Sequence, residues 1–171
     1  MGHSAPALTL PFLTTLEAFA LKAGPGDERD AYGAADDATQ ARMLTALAPR
    51  LDAGKIDLAF LSGKPNAIAT IEWFASAEDL AEVLDSLRRR PDPAVMAILG
   101  VNPGLGPDST ARYARVGFKG GSEPGVLNLT WLVQSKDGSW YAVTASWNDP
   151  DREGDLQRFL GLGQRLLAQV K

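Results

Sequence analysis

The sequence predicts an α+β fold in which helices come first, followed by a three-stranded antiparallel sheet and a C-terminal helix packed on it. Three observations carry this. Up to about residue 99, apolar residues recur at helical spacing behind two N-cap signatures. From Ala111 the apolar pattern switches to alternation, with an Asp137-Gly138 turn signal inside it. After Pro150 it returns to helical spacing. At 171 residues the chain is long enough for one domain with a real core. It divides into a mainly helical part, 1–110, and a sheet-plus-helix part, 111–171.

The elements follow in order. Thr14 and Glu17 form a capping box, in which hydroxyl and carboxylate satisfy orphan amides, and the helix behind them stops at Gly24-Pro25-Gly26. A second helix spans Ala38 to Leu47, with Met43, Leu44 and Leu47 on one face and Pro49 ending it. Residues 52–66 are mixed and close on a turn at Gly63-Lys64-Pro65-Asn66. The apolar segment from Ile68 to Phe74 leads into Ser76 and Asp79, another N-cap signature, followed by Leu80, Val83, Leu84 and Leu87 at helical spacing. Arg88, Arg89 and Arg90 fall in the last turn, where cations suit the negative end of the helix dipole. One more helical turn fits within 91–99. Residues 100–107 are glycine- and proline-rich loop, without the strand-and-helix context of a dinucleotide fingerprint.

The first strand is expected over Arg112 to Lys119 and the second over Val126 to Gln134, with Leu127, Leu129, Trp131 and Val133 on one face. The third spans Trp140 to Trp147, with Tyr141, Val143, Ala145 and Trp147 on one face. Pro150 and Asp151 open the final helix, whose stripe is Leu156, Phe159, Leu160, Leu166, Leu167 and Val170. Gly161 and Gly163 lower its propensity and allow close approach to the sheet.

Composition excludes several function classes. A net charge of −4 without a basic block gives no electrostatic case for nucleic acid or an anionic membrane. No apolar run approaches the roughly 18 residues of a membrane span, and the N-terminal residues lack a leader pattern. There is no cysteine, so thiol nucleophiles and cysteine metal sites are out. The one histidine, His3, sits at an end expected to be mobile, which argues against a histidine triad or a zinc enzyme. Any acid–base work falls to a carboxylate, a lysine or a tyrosine, and no metal or cofactor is expected.

The stretch from Val116 to Trp131 is where chemistry is expected. Lys119, near the end of a strand and followed by Gly120, Gly121 and Ser122, places a cation beside unhindered backbone amides. That arrangement can hold a carboxylate and polarise a carbonyl oxygen. It equally describes a strand ending in a glycine turn with a solvated lysine. Glu72, between Ile71 and Trp73, is either a desolvated carboxylate with a raised pKa or a solvated helix-entry residue, and its position favours the second. Trp73, Trp131, Trp140 and Trp147 read as core or sheet-face packing.

The run from Val116 to Trp147 and the helix after it resemble the C-terminal part of class A β-lactamases and related penicillin-binding serine hydrolases. Those proteins carry Lys-Thr/Ser-Gly on a strand lining the active site, then a hairpin, a last strand and a long helix. Lys119-Gly120-Gly121 matches except in the middle, where glycine replaces the hydroxyl residue. The segments from Ile71 to Ser76 and from Pro11 to Thr15 look like parts of the same group. The resemblance implies a partial β-lactamase-like fold. It implies that Lys119 helps hold the substrate carboxylate, that Gly121 leaves room for substrate, and that the Ser122 amide is one oxyanion-hole donor.

The family's nucleophile motif, Ser-x-x-Lys, has no counterpart, since no serine here has a lysine three positions on. Its Ser-x-Asn motif is matched only by Ser146-Trp147-Asn148, on the wrong side of the Lys-Gly-Gly strand. The reading is a portion of a serine hydrolase acting on β-lactams or related amides and esters, without its nucleophile. The alternative is a non-catalytic α+β binding or oligomerisation module. Expected partners are a small-molecule substrate in the complete enzyme, and a homodimer mate or a complementary N-terminal segment covering the sheet. The family habit suggests a periplasmic or secreted parent.

Overall fold

The computed structural model describes residues 4–170, which leaves His3 outside. Helix α1 (Thr15–Ala23) begins on the expected capping box: Thr14 accepts from the Glu17 amide, and the Glu17 carboxylate accepts from the Thr14 amide at 2.7 Å. Helix α2 (Gly26–Ala34) occupies a stretch with no apolar stripe, so periodicity gave no sign of it. What holds it is Tyr32, buried in the helical core, and the acidic Asp27 and Glu28 at its positive end. Helix α3 (Asp37–Leu47) follows with Asp36 as its cap. Their core is Leu13, Ala18, Leu21, Tyr32, Leu44, Leu47 and Ile71.

Helix α4 (Ala77–Arg88) starts on the Ser76–Asp79 capping box. Asp79 also accepts from the amide and hydroxyl of Ser4, both at 2.7 Å, so the first described residue is tied to this helix. Arg88 and Arg89 pair with Asp85 one turn earlier in the chain. Short helices α5 (Ala94–Leu99) and α6 (Pro107–Thr110) lead to the sheet.

The sheet has the order β1 (Arg115–Glu123), β2 (Val126–Gln134), β3 (Trp140–Asn148), antiparallel throughout. The second strand matches expectation, and the third runs one residue further. The first differs: it starts three residues later, because the Arg112 and Tyr113 amides donate to the Ser109 and Thr110 carbonyls and hold the chain in a turn. It also runs on through both glycines to Glu123, since Gly120 and Gly121 pair with Leu129 and Asn128. Lys119 is therefore a mid-strand residue, and the turn lies at Pro124-Gly125. There Gly125 takes φ +84°, open to glycine at little cost.

Phe118, Leu129, Trp131, Val133 and Val143 pack on helix α7 (Leu156–Leu167), as the alternation predicted. The helix starts behind Asp155, whose carboxylate accepts from the Arg158 amide, and so begins later than Pro150. Gly163 brings it close: a Cβ there would lie 2.9 Å from the Trp131 ring. Gly161 faces only Arg165, so the close approach belongs to one glycine of the two. The Tyr113 hydroxyl donates to the Leu167 carbonyl at 2.9 Å and satisfies the helix end. The opposite face of the sheet packs on α4, under β2 and β3, and on α5, under β1.

Candidate functional site: a lysine between two carboxylates on a cavity wall

Strand alternation sorts the β1 residues. Phe118 and Gly120 face α7, where a Cβ on Gly120 would meet the Phe118 ring at 3.0 Å. Gly117 faces the other way, against Leu99. By the same alternation Lys119, Gly121 and Glu123 point toward the helical layer, and Ser122 points to the α7 face. Lys119 and Ser122 thus lie on opposite faces, as their spacing predicts.

The structure brings Gly121 and Ser122, with Glu123, to the wall of a cavity of about 300 Å³ between the β1–β2 end of the sheet and the helical layer. Phe19, Leu61, Ile71 and Trp73 supply its apolar side, and Asn128 a polar edge. A Cβ added at Gly121 would meet nothing within 4 Å. Lys119 and Gly120 do not line this cavity. The Lys119 side chain is exposed and its ammonium donates to the neighbouring Gly120 carbonyl.

The cation at the cavity is Lys22, from the last turn of α1, with only 3% of its side chain exposed. Its ammonium donates to both oxygens of Glu123, at 2.6 and 2.7 Å, and to Glu72. The Lys22 carbonyl accepts from Arg29 of α2 and from the Asn66 amide group, which fixes the helix end. Glu72 is therefore a partly buried ion-pair partner, and the reading of a solvated helix-entry residue is corrected. Its neighbours explain this: Ile71 is fully buried and the Trp73 indole donates to the Leu13 carbonyl, so the segment is held against the core.

Two carboxylates on one ammonium leave a surplus negative charge in a partly dehydrated place. Burial raises the Glu123 pKa most, the Glu72 carboxyl at hydrogen-bond range raises it further, and Lys22 pulls it back, leaving it at about 7.

Sequence reading missed Lys22, which sat unremarked in a helical run, and its link to Glu123, 101 positions away. The available signal was Glu72, a charge set inside an apolar run. Ser146 accepts from the Asn128 side chain at 2.8 Å, a cross-strand pair across β2 and β3. Among the described residues no His/Cys/Asp/Glu group is arranged to hold a metal, and no helix is long and apolar enough to cross a membrane. No protein-family model and no curated protein sequence matches the chain.

Proposed function

We propose that the chain carries the substrate-binding strand of a β-lactamase-like serine hydrolase, acting on β-lactams or related amides and esters, with the nucleophile outside this chain. The observation that supports it most is Gly121 and Ser122 on the cavity wall, at the end of a strand whose outer edge is unpaired among the described residues. A glycine without neighbours there leaves room for a flat acyl group against the strand, and a backbone amide beside it is the kind of donor that stabilises an oxyanion. The resemblance assigns carboxylate binding to Lys119, with Gly120 beside it in place of the family's hydroxyl.

A non-catalytic binding module is the second reading. It is favoured by Lys119 standing outside the cavity with its ammonium on the Gly120 carbonyl.

Backbone-amide NMR of the chain titrated with benzylpenicillin separates the two, with intact mass recorded alongside. The hydrolase reading expects saturable shifts at Gly121 and Ser122 and no covalent adduct. Shifts confined to other surfaces, or none at millimolar ligand, overturn it.

A further inference from the structure

The Lys22–Glu72–Glu123 cluster lies on the wall of the cavity just described, yet the resemblance gives it no role. Its charges decide what it can be. One ammonium touches both carboxylates, which sets the two carboxyl groups side by side at the cavity wall. Two carboxylates held on one ammonium repel each other, and like charges that close resist joint ionisation, so a proton held between them relieves the repulsion. Among the described residues no other cation touches either carboxylate. The neighbouring elements bring Arg29, whose guanidinium donates to the Lys22 and Gly24 carbonyls rather than to a carboxylate, while β2 brings the uncharged Val126 and Asn128. With one proton between the carboxyls, the cluster sums to zero, which suits a site where Lys22 is almost fully buried.

We propose that Glu72 and Glu123 are a proton-sharing carboxyl pair, held in place by Lys22, that gives the cavity one exchangeable proton and an acid–base group for a bound amide or ester. Passing the proton to a ligand heteroatom leaves two carboxylates on Lys22 with a net negative charge, which draws the proton back. The group is thus reset without a histidine. Lys22 acts here as a positioning residue, since its own contacts are spent on the two carboxylates. Use of the proton on an amide or ester rests on the hydrolase reading above; the shared proton does not.

Carboxyl-carbon NMR of the chain with ¹³C-labelled glutamate, followed from about pH 4 to about pH 9, tests the pair without any activity. Ordinary glutamates finish titrating well below neutrality. The expected result is one carboxyl step near neutral pH in the wild-type chain, lost in Glu72→Gln and in Glu123→Gln, where the remaining carboxylate keeps Lys22 to itself and titrates in the usual acidic range. Completion of every glutamate step below about pH 5.5 in the wild type overturns the proposal. So does a neutral step that survives in either variant, which would assign it to burial alone. If a variant fails to fold, the wild-type titration still decides whether the neutral step exists. Glu72 and Glu123 both finishing titration in the ordinary acidic range while benzylpenicillin still shifts Gly121 would remove the shared proton and leave the hydrolase reading standing.

Discussion

Lys22 and Glu123, 101 positions apart, meet with the ammonium 2.6 and 2.7 Å from the two carboxylate oxygens. One belongs to the first helix and the other to the last residue of β1, so the contact fastens the helical layer to the strand end that carries Gly121 and Ser122. Removing one partner of a buried ion pair costs more than the pair contributes, because the other charge stays buried and unpaired. Lys22→Met leaves the Glu72–Glu123 pair without the cation that holds it. It is expected to destabilise the chain by about 3 kcal/mol or more, measured by urea unfolding near neutral pH.

The same cluster sets a pH dependence. The folded-state pKa of Glu123, about 7, lies above its ordinary 4.5, so the folded chain holds a proton that the unfolded chain releases. The stability linked to this group is fully present below about pH 4.5 and is lost as pH rises through about 7. Urea midpoints taken between those limits should fall with rising pH, and Glu123→Gln should flatten that slope. A wild-type midpoint that rises over the same window would show the sign to be wrong.

How far the sequence reaches differs between the sheet and the cavity. Strand β2 was legible to the residue because Leu127, Leu129, Trp131 and Val133 recur at every second position, the period that places side chains on one face of a sheet. The caps at Thr14 and Ser76 were legible because hydroxyl and carboxylate three residues apart satisfy local donors. The end of β1 was misplaced because glycines weaken strands and signal turns, and only the pairing with β2 shows that Gly120 and Gly121 stay extended. Helix α2 left no periodic trace. The cluster is a tertiary product: three residues from three segments, brought together by packing, with no spacing to read.

The two glycines of α7 should respond to alanine with opposite signs. At Gly161 a Cβ would meet only the Arg165 guanidinium, at 3.6 Å, so Gly161→Ala gains helix propensity of up to about 1 kcal/mol. At Gly163 the Cβ would press to 2.9 Å on Trp131, which is fully buried and has nowhere to go. Overpacking of that kind costs about 1–3 kcal/mol and outweighs the propensity gain. Thermal melts of the two single variants check this, and equal shifts in one direction would contradict the placement of α7.

Gly121 offers a separation that stability measurements alone cannot make. A Cβ there meets nothing within 4 Å, and its φ is not among the positive values, so a larger residue is compatible with the strand. Glycine also weakens a strand interior relative to residues with a side chain to pack. Gly121→Val should therefore leave the unfolding midpoint unchanged or raise it slightly. The added side chain would project from the helical-layer face of β1 into the cavity, toward the space lined by Phe19 and Trp73. A ligand that lies against the strand loses that room. The expected result is unaltered folding with benzylpenicillin-induced shifts at Ser122 weakened at least tenfold in affinity, equivalent to about 1.4 kcal/mol. Gly125→Val supplies the contrast, since φ is +84° and a Cβ would lie 2.7 Å from the Asp149 carbonyl oxygen. That variant should unfold more easily because of its backbone, whatever the cavity binds. If Gly121→Val binds the penicillin as the wild type does, the substrate does not lie against this strand.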